Sequence, residues 1–363
     1  VNKYLFEVWD RILKVMSSRE ELAKKFLVRK LRPIEIGEKS ISQLLDSMAM
    51  TGFQGRRLGE VVKVWETACR TENTVIFLGL AGSLSTTGQS EIVKFLIRNR
   101  FIDVLVSTGA NITEDLVEAL GANYYMGEPN LDDSELFKAG IYRFHDVLVR
   151  DVDYFKMEKM LADFMAQLDR TKVYSSAKFL NQLGAWLDGK GVNGILTEAW
   201  RSGVPVFSPA LVDSGMGVAY LLNKYRHGEG FKLLIDHFAD YELIVKIKAK
   251  FADSAAIFIG GGVPKDFIQL AAVAVDVLLS GDLSKYRPHR FAAQITTDSP
   301  HWGGLSGATL DEAKSWGKES PDSMTVQCFC DATIGLPLVA HALYEKLGRR
   351  KDPPDLSWVF KEG

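Results

Sequence analysis

Ala256-Ile257-Phe258-Ile259-Gly260-Gly261-Gly262-Val263-Pro264 reads as a buried strand, a glycine turn and the start of a helix. A short apolar run closed by glycine suits a strand covered on both faces. Pro264 suits the first helical turn, where a missing N–H leaves no bond unmade. Glycines let a phosphate approach the backbone, and a helix N-terminus favours an anion. The spacing is not the G-x-G-x-x-G dinucleotide pattern. On this stretch alone, a phosphate-binding turn and a tight structural turn are equally consistent.

Working outward, Leu78-Gly79-Leu80-Ala81-Gly82-Ser83-Leu84-Ser85-Thr86-Thr87-Gly88 has the same logic. The strand Val75–Leu78 ends at Gly79, small hydroxyl residues follow, and Ser90–Arg98 has helical spacing. The serines and threonines could equally be simple N-caps. A strand at Val104–Val106 leads into Thr108-Gly109-Ala110 and a helix from Thr113 to Leu120 that carries Glu114. Val204–Phe207, Ala292–Ile295 and Thr325–Phe329 read as further strands. Helices are expected near Gly230–Phe238, Lys265–Leu278 and Leu336–Leu347. Strands alternating with helices predict an α/β fold, a Rossmann-like, mostly parallel sheet with helices on both faces. The glycine and hydroxyl loops then lie at the carboxyl ends of strands, where such sheets bind ligands. Ahead of the sheet, Leu5–Met16 and Arg19–Val28 read as two helices, and Ser40–Met50 continues with helical spacing. The simplest division is a helical extension over 1–45, one domain over 46–350 and a tail over 351–363.

The chain has 363 residues and a net charge of −2, so nothing favours nucleic acid or a membrane surface. Cys69, Cys328 and Cys330 are too few and too badly spaced for a disulfide framework or a zinc site, and no metal is expected. Cys328 and Cys330 alternate in an apolar run and read as strand residues. No apolar run is long enough to span a bilayer and the start is not signal-like, so the cytoplasm is the expected location.

A second stretch, Ser306-Gly307-Ala308-Thr309-Leu310-Asp311-Glu312-Ala313-Lys314-Ser315-Trp316-Gly317-Lys318, reads as a short helix that delivers a lysine. Thr309 and Glu312 have capping-box spacing, and Gly317 is a helix stop. Glu312 and Trp316 are four apart and share a face, with Lys318 just beyond. A carboxylate, an indole and an amine suit binding a cationic amine and attacking it. A capped surface helix with a solvated lysine is the plainer alternative.

The Ser-Trp-Gly-Lys ending resembles the active-site segment of the deoxyhypusine synthase family, which includes homospermidine synthases and bacterial homologues. Met50–Gln54, Ile76–Gly79, Asp103–Thr108, Pro205–Leu211, Gly260–Gly262 and Cys330–Ala332 match it in collinear order, from about residue 45 to 345. The resemblance implies the family's NAD-binding fold over 46–350. It places NAD at Gly82, Ser83, Leu84, Ser85, Thr86, Thr108, Gly109, Ala110, Glu114, Asp213, Gly261, Thr297, Asp298, Asp331 and Ala332. On its own, Asp331 reads as a helix cap. The resemblance further implies transfer of an aminobutyl unit through a lysine imine. Lys318 is then the nucleophile, Trp316 a cation–π contact, and Glu312 and Glu114 partners for ammonium groups or protons.

The chain departs from the eukaryotic members at the amine pocket. Val218, Leu305 and Asp266 stand at positions of two acidic spermidine contacts and a histidine, and Trp302 replaces an acidic residue. Asp266 or His301 could take the histidine's place. The other five histidines show no ligand spacing and read as surface or packing residues. The expected function is an NAD-dependent alkylamine transferase that uses small polyamines and gives a homospermidine-like product. The alternatives are true deoxyhypusine synthesis on a translation-factor lysine, and an NAD- or polyamine-binding protein without turnover. The resemblance also implies a homotetramer.

Overall fold

The computed structural model describes residues 2–280 and 287–360. Six strands form the central sheet: β1 (Thr74–Leu80), β2 (Val104–Ser107), β3 (Val206–Phe207), β4 (Asp253–Ile259), β5 (His289–Thr296) and β6 (Glu319–Phe329). Every pairing in this sheet is parallel, and the spatial order is β6-β5-β4-β1-β2-β3. The chain therefore steps outward from β1 to β3, then returns to the other side of β1 at β4. That is the strand order of a Rossmann fold, with its switch point between β1 and β4.

Alternation along the strands sends side chains into two apolar layers. Ile76, Leu78, Leu80, Ile257 and Ile295 join the layer that contains Leu58, Val61 and Trp65 of the helix Phe53–Arg70 and Leu336 and Val339 of the helix Ala332–Leu347. Val75, Phe77, Val104, Phe258 and Ala292 face the layer built on the helices His237–Lys250 and Gly262–Ser280. Gly79 permits the second contact, because a Cβ there would lie 3.0 Å from Phe258 and 3.3 Å from Ile268 and the Pro264 backbone.

Several elements differ from the sequence expectation. Asn2–Lys24 is one helix, since Ser17 and Ser18 do not interrupt it and no glycine or proline lies within it. Of the helix expected near Gly230–Phe238, only His237 and Phe238 are helical. The strand Leu234–Ile235 pairs with Val173–Tyr174, and Asp236 then caps the helix His237–Lys250 by accepting from Phe238 N and Ala239 N. Cys328 lies in β6, but Cys330 lies one residue past its end. Residues 351–360 are not a loose tail: Leu356 and Val359 are buried in the second apolar layer, while 361–363 lie outside the described residues. Among the described residues, no helix is long and apolar enough to cross a membrane.

The amino ends of β1 and β2 are locked by a buried ionic cluster. Asp103 Oδ2 accepts from Arg350 Nη1 at 2.6 Å and from Ile76 N at 2.8 Å, and Oδ1 accepts from Arg100 Nη2 at 3.0 Å. Arg350 also donates to Thr74 O at 2.5 Å, which ties the end of the chain beneath β1. Asp103→Ala leaves the buried Arg350 without its counter-charge. Urea denaturation should show a loss of about 3–5 kcal/mol, the usual cost of breaking a buried pair from one side.

Candidate active site

The switch point opens into a cavity of about 500 Å³. Gly82, Ser83, Leu84 and Thr86 line one wall, after β1. Gly260 and Gly261 line the next, after β4, and Thr297 and Asp298 follow β5. Asp331 and Ala332, after β6, complete that side. Gly260 and Gly262 take left-handed φ values of 71° and 59°, and the helix Gly262–Ser280 begins at the second of them. A Cβ on Gly261 would stand 2.4 Å from Ser306 Cα, so the turn tolerates no side chain. The cavity has the volume, the glycine-lined wall and the strand-end position that a dinucleotide requires.

The remaining expected cofactor positions stand behind these walls or beside them. Ser85 Oγ donates to Asn111 O at 2.8 Å, and Asn111 Nδ2 donates to Gly82 O at 2.7 Å and to Thr108 Oγ1 at 3.1 Å. Asn111, which the sequence reading did not single out, thus stitches the two loops together. Thr108 caps the helix Gly109–Ala119, in which Ala110 lies. A Cβ on Gly109 would meet Ser214 Oγ at 2.7 Å, which sets the turn holding Asp213 against this helix. Asp331 Oδ1 accepts from Thr333 N at 2.7 Å and Thr333 Oγ1 at 2.5 Å, so its carboxylate does serve as a helix cap. Glu114 is buried and accepts from Ser83 Oγ at 3.0 Å. Burial outweighs that bond and pushes its carboxyl up to about 7.

Lys318 belongs to a different group. The short helix Leu310–Ser315 begins at Thr309, whose Oγ1 accepts from Glu312 N at 3.1 Å and lies 3.1 Å from Glu312 Oε2. Gly317, at φ 72°, ends it. Lys318 Nζ then pairs with Asp266 Oδ1 at 2.8 Å and lies 5.5 Å from the Trp316 ring centroid. The Lys318 side chain is 12% exposed, whereas Trp316 is 68% exposed and leaves much of its indole ring open to solvent. Asp266 lies one helical turn beyond Gly262, about 6 Å along the axis. The loop between cavity and lysine is held by Lys265, which donates to Leu305 O at 3.2 Å and Ala308 O at 2.6 Å. That loop also carries His301 and Trp302, both exposed, the latter at 82%. The structure therefore brings together Lys318, Asp266 and Trp316, while the Leu305 loop is tied to Lys265, the residue before Asp266. Among the described residues, no bond or ion pair links Glu114 or Val218 to Lys318; Val218 is 48% exposed on the helix Gly215–His227. Nor is any group of three or more His, Cys, Asp or Glu there placed to hold a metal.

The family model described as deoxyhypusine synthase matches residues 43–343. "Probable deoxyhypusine synthase 2" of Methanosarcina mazei is 41% identical, over 91% of this chain and 94% of the relative. The "Deoxyhypusine synthase-like protein" of Chlorobaculum parvum is 33% identical over the same shares. A crystal structure of an Entamoeba histolytica protein provisionally assigned as a deoxyhypusine synthase superposes with a TM-score of 0.61 at 16% identity. It covers 88% of this chain and all of the other, a likeness of fold.

Directly after Lys318 comes a carboxylate that the sequence reading passed over. Glu319 is fully buried and accepts from Gln269 Nε2 at 3.0 Å. Burial pushes its carboxyl up to about 8, against the pull of Gln269, Lys265, Lys248 and Lys318. The folded state thus holds this proton more tightly than the unfolded chain. The stability it contributes is complete below the unfolded value near 4.5 and is lost as pH rises through about 8. Glu319→Gln stays neutral throughout. The melting temperature of the wild type relative to this variant should therefore fall by on the order of a few degrees between pH 5 and 7.5. A pH-independent difference would show that the carboxyl is ionised throughout.

Proposed function

This chain belongs to the deoxyhypusine synthase family, and we propose that it is an NAD-dependent transferase that moves an aminobutyl-type group through Lys318. The observation that carries this reading is the Lys318–Asp266 ion pair, set beside the first turn of the helix that starts at the glycine turn. NAD, when bound in the cavity, would accept a hydride from the amine donor and give it back after transfer. The glycine turn and the Gly82–Thr86 loop would hold it. Asp266 keeps the Lys318 ammonium in place and can accept the proton that Nζ must lose before it attacks. Neutral Nζ would then add to the imine carbon of the oxidised donor and expel the donor's remaining amine, which leaves a lysine imine; the acceptor amine adds to the same carbon and releases Nζ. Trp316 offers an open ring face to a cationic chain. Glu312 gives that chain a carboxylate partner. Glu114, with its carboxyl near neutrality, is suited to exchange protons behind the Ser83 wall.

For the donor, we propose small amines such as putrescine, spermidine or agmatine, with a homospermidine-like product. Leu305, on the loop tied to Lys265, supplies no charge, so one ammonium of a long polyamine would lack a partner there. The names of the relatives favour a second reading, true deoxyhypusine synthesis from spermidine on a translation-factor lysine. A binding protein without turnover fits poorly, since it has no use for a lysine held against a carboxylate. We propose a homotetramer, as in the family the chain resembles, in which another subunit would cover the exposed Trp302 and Trp316.

Two measurements separate these readings. Lys318→Arg keeps the charge but offers no usable neutral amine. It should keep the melting-temperature shift caused by NAD and lose the label that borohydride traps from labelled donor. A trapped label in this variant excludes Lys318 as the nucleophile. Leu305→Asp should raise kcat/KM for spermidine relative to putrescine by roughly tenfold, the worth of one charge-assisted hydrogen bond. Product analysis with and without a candidate acceptor protein decides between the small-amine and protein-lysine readings.

A further inference from the structure

A two-residue hairpin tip reaches the cavity from outside the central sheet. The strands Ile141–Phe144 and Val147–Arg150 pair antiparallel, Phe144 opposite Val147, which leaves His145 and Asp146 as the loop. Both residues line the cavity, together with the glycine turn and the β1 loop. His145 adopts φ 55°, at the loop position where a positive φ favours glycine or asparagine. A side chain held there costs roughly 1 kcal/mol and tends to persist at ligand clamps.

The tip is braced from behind. Arg143 Nη1 donates to His145 O at 3.0 Å, and Gly127 N donates to Asp146 O at 2.7 Å. Arg143 is itself fixed by two bonds to the Asp133 carboxylate, each 2.6 Å. Both tip carbonyls are thus committed to the hairpin, and the side chains are left to serve the cavity.

Charge decides what His145 can do there. Asp146, Asp298 and Asp331 also line the cavity, and the described lining contains no lysine or arginine. A dinucleotide carries two negative charges on its pyrophosphate. In this acid-lined space the backbone N–H groups of the glycine turn need a side-chain donor to assist them, and the imidazole is the one that can also carry positive charge. We propose that the His145–Asp146 tip is a fixed arm of the cofactor site and that the His145 imidazole donates to the dinucleotide's pyrophosphate. This rests on the reading of the cavity as a dinucleotide site.

Calorimetric titration of the full chain with NAD, ADP-ribose and adenosine tests it. Wild type should bind NAD and ADP-ribose. His145→Gly, which suits the turn, and His145→Asn, which tolerates positive φ, should each weaken both ligands. The expected loss is roughly tenfold to a hundredfold for the removal of one charge-assisted bond. Adenosine has no pyrophosphate and should bind all three proteins alike. Unchanged NAD affinity in both variants overturns the assignment, and so does an equal loss for adenosine, which would indicate a role in shaping the pocket. Failure of the wild type to bind NAD or ADP-ribose would remove the dinucleotide reading itself.

Discussion

Lys265 is almost entirely removed from water, and three oxygens meet its ammonium: Gln294 Oε1 at 3.0 Å, Leu305 O at 3.2 Å and Ala308 O at 2.6 Å. One group comes from the middle of the sheet and two from the loop that crosses above it. Burial pulls the amine down to about 8, so its three acceptors must offset a substantial desolvation cost. Gln294 completes the arrangement by donating through Nε2 to Gly260 O at 2.7 Å and Ser306 O at 2.8 Å. The glycine turn, the loop and the start of the helix Gly262–Ser280 are thereby fixed to one another. This is why Gly261 has no room for a Cβ: Ser306 is held where that atom would be. The same clamp sets where Thr309 starts the next helix, and so where Lys318 emerges.

The cavity lining and the group around Lys318 differ in chemistry because their elements differ. The cavity is made of loops at strand ends, so it is lined by glycines, small hydroxyls and capping carboxylates. Such a wall recognises an anion through backbone N–H groups. The lysine group lies along a helix flank and carries the Asp266 carboxylate and the exposed Trp316 indole, which suits cationic amines. Lys265 and its loop form the boundary between them. Glu114, expected both among the cofactor positions and as a partner for ammonium groups or protons, stands on the cavity side, because the helix Gly109–Ala119 follows β2 and runs behind the Ser83 wall.

The fold was legible wherever a short apolar run met a glycine or a hydroxyl cluster. The strands at Val75, Val104 and Ala256 were visible because both their faces are buried, which removes any polar alternation. Thr309 and Gly317 marked the ends of a short helix because capping chemistry is local. What escaped was long-range. Nothing near Asp266 indicates that it meets Lys318, 52 residues away. Nothing in the sequence marks Lys265 and Glu319 as buried, because burial of a charge depends on partners brought in by the fold. His145 showed no ligand spacing, since its neighbours in the cavity come from four other strand ends. The two-helix reading of Leu5–Val28 failed locally: it divided the chain at Ser17 and Ser18, which the helix Asn2–Lys24 runs through.

Strand β6 shows how far the sheet itself limits the arrangement. Asp331 follows its carboxyl end and caps a helix at the cavity, whereas Lys318 precedes its amino end. At about 3.3 Å per residue, a regular strand of this length would separate the two widely. The pairing with β5 is instead irregular: Glu319 faces His289, but the next paired residues are Met324 and Phe291. Four residues of β6 there span what one residue spans on β5, which draws the amino end inward and sets Glu319 beneath the helix Gly262–Ser280. Alternation then aims neighbours apart. Glu319 turns into the interior toward Gln269, while Lys318 turns along the helix toward Asp266. An amine placed at the far end of the strand is in this way carried to the first turn of the helix that begins at the glycine turn.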